Sequence, residues 1–97
     1  MKKNLGQYCH WGATTQDIMD TADVLQIRDA LSILLSDLVG IKKALKKLVK
    51  KYINTPMSGR THLQHALPTS FGYKCSTWLS GIERHIDRIS QIKERLF

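Results

Sequence analysis

The sequence predicts an all-α fold: two long helices joined by an extended loop, forming part of an oligomeric helical bundle. Three observations predict it. Apolar residues recur at alternating steps of three and four along two long stretches. A polar, hydrogen-bonding stretch without periodicity separates them. Composition is that of an ordinary globular protein, 42% hydrophobic and 24% charged, which argues against disorder. The 97 residues are enough for a single unit. Its expected parts are a loop over 6–16, a helix over 17–52, a loop over 53–68 and a helix over 69–97.

The first helix carries the clearest pattern. Val24, Ile27, Leu31, Leu34, Leu38, Ile41, Leu45, Leu48 and Tyr52 are spaced to keep one seam facing partner helices. Thr14, three positions before Asp17, forms a weak capping-box arrangement. Asp17, Asp20 and Asp23 place negative charge where the helix dipole favours it. Asn54 and Pro56 mark the end. A helix from Asp17 to Tyr52 would be roughly 54 Å long at 1.5 Å per residue.

The second helix is expected to start near Thr69, just after Pro68. Phe71, Cys75, Trp78, Ile82, His85, Ile89, Ile92 and Leu96 repeat the pattern, with His85 reaching a polar edge while Ile86 covers the apolar duty beside it. Ile33, Leu35, Val49, Leu79 and Ile86 widen both apolar faces beyond what two helices can hide from water. The sequence therefore predicts self-association through the seams, or burial against further chain.

Net charge is +7, and Lys42, Lys43, Lys46, Lys47, Lys50 and Lys51 cluster on the first helix. Their interleaving with Ala44, Leu45, Leu48 and Val49 reads as a solvated helix face. Cys9 and Cys75 lie outside any metal-ligand spacing and read as free thiols. No metal and no cofactor is expected. The start, Met1 to Gly6, is basic but has no apolar core of a signal peptide, and no apolar run approaches the roughly 20 residues that span a bilayer. A soluble, cytoplasmic protein that does not touch membranes is expected.

Two segments carry chemistry. His10-Trp11-Gly12-Ala13-Thr14-Thr15-Gln16-Asp17 precedes the first helix, whose N-terminus offers free N–H groups and positive potential to a carboxylate or phosphate. The connection, 16 residues from Ile53 to Pro68, is longer than most helix–helix links and dense in polar side chains.

These segments resemble the fumarase/aspartase superfamily. The run Gly6 to Ala22 is similar to that family's first segment, His-x-Gly-x-Thr-Ser-x-Asp-x-x-Asp-Thr. The run Gly59 to Gly72 is similar to its second, Gly-Arg-Thr-His-x-Gln-x-Ala-x-Pro-x-Thr-x-Gly. The stretch His-Trp-Gly-Ala-Thr-Thr-Gln-Asp, with Phe71-Gly72-Tyr73-Lys74 and Trp78, looks most like the branch of 3-carboxy-cis,cis-muconate cycloisomerases and adenylosuccinate lyases. Trp11 and Trp78 lean to the former and His62 to the latter, so the resemblance implies a cycloisomerase-like chain first, with an adenylosuccinate lyase-like chain as the alternative.

The resemblance implies an enzyme that adds or eliminates a group across a carbon–carbon bond beside a carboxylate of a polycarboxylate substrate. Thr14, Thr15 and Gln16 match positions that hold a substrate carboxylate, Thr61 and His62 match the substrate-contacting pair, and His10 matches a contact of the adenylosuccinate branch. Gln64 is a further contact. His62 is the candidate general acid or charge-stabilising group. His65 matches no functional position and reads as structural. The family's third segment, of the type Gly-Ser-Ser-x-Met-Pro-x-Lys-x-Asn-Pro with the serine assigned as base, has no counterpart here. The resemblance thus implies a fragment without turnover of its own, because the segment with the serine is absent and the family combines all three segments, from three subunits, in each site. Two other classes compete: a non-catalytic helical oligomerisation module, and a nucleic-acid binder using the lysine stripe. The second ranks last, since no aromatic platform accompanies the lysines.

Overall fold

The computed structural model describes residues 4–97; Met1 to Lys3, the basic start of the expected leaderless N-terminus, lie outside them. A short 3-10 turn over Leu5–Tyr8 leads into α1, Thr15–Lys51. Two strands follow, β1 (Pro56–Thr61) and β2 (Gln64–Ser70), and then α2, Phe71–Leu96, which runs back along α1. No helix among the described residues is long and apolar enough to cross a membrane.

The boundaries differ from the sequence reading in ways that local bonding explains. Thr14 is the N-cap of α1, and its backbone N–H donates to the Asp17 carboxylate at 2.8 Å. This satisfies a terminal donor and lets the helix begin at Thr15, two residues early. α2 begins at Phe71 instead of Thr69, because Thr69 and Ser70 pair with Met57 and Pro56 in the sheet. Ser70 then caps α2, its hydroxyl accepting from the Tyr73 N–H at 3.1 Å.

The connection is extended, as expected, but it is a paired antiparallel hairpin, not a free loop. Its foot is fixed by backbone bonds. The Phe71 N–H donates to the Thr55 carbonyl and the Gly72 N–H to the Tyr52 carbonyl, both at 2.9 Å. Gly72 is buried so closely that a Cβ would lie 2.6 Å from the Ile53 Cα. The Tyr52 and Phe71 rings meet edge to face, centroids 5.4 Å apart, and Cys75, one turn into α2, is fully buried. This corner is the only dry part of the described chain.

The seam has the expected period but is rotated. Leu31, Leu35, Leu38, Lys42, Leu45, Val49 and Tyr52 are half-buried along α1, and Cys75, Leu79, Ile82, Ile86 and Ile89 are covered along α2. The expected seam positions Ile27, Leu34, Ile41 and Leu48, seven residues apart, are exposed instead, as are Trp78, His85 and Ile92. Lys42 lies at the edge of the covered stripe: its ammonium reaches Glu83 on α2 at 3.1 Å, with Lys46 at 3.5 Å from the same oxygen. Lys42, hydrogen-bonded to Glu83, also holds the Glu83 carboxyl below its usual value.

The two outward rows join, since Ile41, Trp78 and His85 line one shallow depression across both helices. His85 sits at that edge with Ile86 half-buried beside it, as the sequence suggested. The molecule measures 83 × 28 × 17 Å with a radius of gyration of 24.0 Å. A compact chain of this length would have a radius of roughly 13 Å. The accessible surface, 8356 Å², compares with roughly 5,700 Å² for a compact monomer of this mass. One face of the helix pair is an unpartnered apolar surface.

Candidate functional site

The residues expected to bind substrate form two groups at opposite ends of α1. His10, Thr14, Thr15 and Gln16 stand at its N-terminal mouth, all exposed. Thr61, His62 and Gln64 stand at the tip of the hairpin beyond its C-terminus, also exposed. The 37 residues of α1 separate the groups by roughly 55 Å. Within one chain the two groups cannot touch the same small molecule.

Local turns alone shape the first group. The Cys9 N–H donates to the Gly6 carbonyl at 3.1 Å, Trp11 to Tyr8 at 3.3 Å and Ala13 to His10 at 3.4 Å. His10 and Gly12 both take positive φ, 65° and 81°. Only Gly12 does so without steric cost. Trp11 is 83% exposed. The Gln16 amide, one of the expected carboxylate holders, donates to the Asp20 side chain at 2.6 Å. That bond occupies one of its donors and leaves the other available.

The second group is held by the sheet. Thr61 pairs with Gln64 across a two-residue turn, His62-Leu63, whose φ values are 47° and 63°. Positive φ at both central residues is the pattern of the turn that matches strand twist in tight hairpins. Neither residue is Gly or Asn, so the turn stores backbone strain at the tip. At this tip His62 is exposed, and Leu63 beside it is fully exposed at 100%. A bulge lies behind the tip: Gly59 stands where Ala66 and Leu67 face it together. A Cβ on Gly59 would come within 2.5 Å of the Leu67 carbonyl oxygen. The Ser58 hydroxyl bonds His65 Nδ1 across this bulge. His65, read as structural from the sequence, thus ties the two strands together behind His62.

Electrostatics favour an anion at the hairpin end. No Asp or Glu occurs between Asp37 and Glu83, while Arg60, Lys74 and the six clustered lysines do. Such one-signed surfaces attract anionic ligands. The sequence reading drew on the lysine stripe and missed this wider gap in acidic residues, though the signal was there. Among the described residues, no group of three or more His, Cys, Asp or Glu side chains is arranged to hold a metal ion.

A sequence profile described as Lyase matches residues 1–97. The chain belongs to the fumarase/aspartase superfamily of lyases. Among its superfamily relatives is an N-acetyl-S-(2-succino)cysteine lyase of Enterococcus italicus, 51% identical over 95% of this chain and 20% of the relative. An adenylosuccinate lyase of Pyrococcus abyssi is 50% identical over 94% of this chain and 20% of its own length. A crystal structure of a fumarate lyase from Mesorhizobium superposes with a TM-score of 0.86 at 55% identity, covering 96% of this chain and 22% of that one. The β-carboxy-cis,cis-muconate cycloisomerase of Acinetobacter calcoaceticus superposes with a TM-score of 0.88 at 42% identity, over 97% of this chain and 22% of that one. The chain spans about a fifth of the length of the curated relatives it matches. The helix pair and hairpin are therefore a superfamily substructure.

Proposed function

We propose that this chain supplies two substrate-binding segments of a lyase or cycloisomerase that works on a polycarboxylate by proton abstraction beside a carboxylate. The observation that carries the reading is the pairing of a helix mouth rich in hydroxyl and amide groups with a strained hairpin tip presenting Thr61 and His62. In this reading Thr14, Thr15 and Gln16 hold a carboxylate and Thr61, with Gln64, positions the reacting end. His62 donates a proton or stabilises the developing negative charge, and His10 makes a further contact. Donors aimed at charge that develops in the transition state commonly supply the largest catalytic term.

Because α1 holds the groups roughly 55 Å apart, the reading requires a composite site. The tip of one chain meets the helix mouth of another, with the base supplied from elsewhere in the assembly. The exposed apolar face suits self-association. The chain on its own is then expected to bind weakly and turn nothing over. Release of fumarate or lactone by the purified chain alone would sink that expectation.

The relatives narrow the substrate class. Succinocysteine, adenylosuccinate and carboxymuconate appear in the names of these relatives, and all carry carboxylates. Elimination from a succinyl-bearing substrate is the better reading, because identity reaches 51% and 50% with those lyases against 43% with the cycloisomerase of Acinetobacter baylyi. The histidine at position 62 points the same way. The cycloisomerase reading keeps Trp11, Trp78 and the TM-score of 0.88 in its favour.

A chimera tests the proposal. This chain would replace the matching segment of the Mesorhizobium fumarate lyase, and the hybrid would be assayed on adenylosuccinate, succinocysteine and carboxymuconate. Activity is expected, with His62→Ala lowering kcat about 10²–10⁴-fold, the usual range for a general acid. An active hybrid indifferent to His62→Ala would overturn the role of the hairpin tip.

A further inference from the structure

A groove of about 400 Å³ lies between β1 and the first two turns of α2. Such a volume is within the range of small-molecule sites. Ser58, Arg60, Thr69, Tyr73, Lys74 and Thr77 line it. Two cations and four hydroxyl-bearing side chains therefore face one space, and no carboxylate does.

Thr61 and His62 do not line this groove. The groove is separate from the tip proposed to touch the reacting carboxylate.

The cations in it are uncommitted. Among the described residues, the ion pairs are Arg28 with Asp29 and Lys42 and Lys46 with Glu83. Arg60 and Lys74 take part in none of them. Lys74 Nζ rests 5.5 Å from the centre of the Trp78 ring, a contact that orients the ammonium without neutralising it. The Thr77 hydroxyl donates to the Lys74 carbonyl at 2.8 Å and the Ser58 hydroxyl is engaged with His65, so Thr69 and Tyr73 are the lining hydroxyls left to donate. The missing acidic residues between Asp37 and Glu83 leave no internal counter-ion nearby in sequence.

We infer that this groove is an oxyanion site that takes a phosphate or carboxylate group of a small molecule. A guanidinium can engage two oxygens of such a group at once, and the lysine adds a mobile point charge. The Thr69 and Tyr73 hydroxyls add neutral donors. A dianionic group satisfies both cations and so binds better than a singly charged one.

Calorimetric titration of the full chain at fixed ionic strength tests the site, with inorganic phosphate in one arm and succinate in the other. Saturable binding of at least one is expected, and the tighter arm identifies whether phosphate or carboxylate is the natural group. Arg60→Gln and Lys74→Gln, both at exposed positions, should each weaken binding about ten-fold, the scale of one charged hydrogen bond. A Lys43→Gln/Lys47→Gln pair in the lysine stripe should leave it unchanged. No saturable heat in either arm would overturn the inference. So would equal loss in the stripe variant, which would mean diffuse attraction by net charge. The site stands apart from the proposed catalytic reading: it fails without touching the chimera result, and the reverse also holds.

Discussion

The mouth of α1 and the tip of the hairpin carry matching polar chemistry but are built in opposite ways. The mouth is a string of local turns on a bare helix end, with Trp11 and its neighbours in solvent. The tip grows from a sheet anchored by backbone bonds to the end of α1 and by buried Gly72 to the start of α2. One segment is shaped by what lies next to it in sequence. The other is shaped by a tertiary corner. The difference teaches that the hairpin can present His62 in a fixed place, whereas the mouth awaits a neighbouring surface to fix it.

Two glycines would break this comparison most sharply. Gly72→Ala drives a methyl into the Ile53 and Tyr52 backbone, at 2.6–2.8 Å, and should cost about 3 kcal/mol. Gly12→Ala meets nothing within 4 Å, although its φ is 81°. It should cost only about 1 kcal/mol, and only locally. Urea midpoints of the two variants decide the matter. Equal midpoints would mean that the corner is not the stable part.

Behind the tip, Ser58→Ala removes the bond to His65 across the bulge and should cost about 1 kcal/mol. Faster amide exchange at Arg60 and Thr61 is the expected signature. At the mouth, Asp17→Ala removes the acceptor for the Thr14 N–H, again at about 1 kcal/mol, with fraying confined to the first turn of α1. Leu63→Gly works in the other direction. It relieves positive φ at a fully exposed residue and should raise stability by roughly 0.5–1 kcal/mol, visible as a higher urea midpoint.

The smallest effect belongs to pH. Lys42 lowers the Glu83 carboxyl below its unfolded value, so the stabilisation is present above the unfolded value and is lost as acidity carries the pH down through the folded one. Glu83→Gln should lower the neutral-pH denaturation midpoint slightly, leave the acid midpoint unchanged, and so remove that part of the acid slope. The exposed ion pair is worth little.

The sequence by itself determined the two helices, their period, and the residues of both candidate segments. Hydrophobic spacing is a local property, whereas Thr14, Thr15, Thr61 and His62 were singled out by the resemblance of their segments to a known family. The hairpin was not legible as a sheet. Met57 to Thr61 and Gln64 to Leu67 lack clean alternation, and His62-Leu63 is not a pair that turn chemistry favours. Its pairing was decided by the corner at Tyr52, Thr55, Phe71 and Gly72, which brings the two strand ends together. The rotation of the seam was likewise tertiary: Leu35 and Val49, flanking positions in the sequence pattern, are covered only where α2 lies against α1. Spacing sets which residues share a stripe, and only the partner helix sets which edge of that stripe is covered.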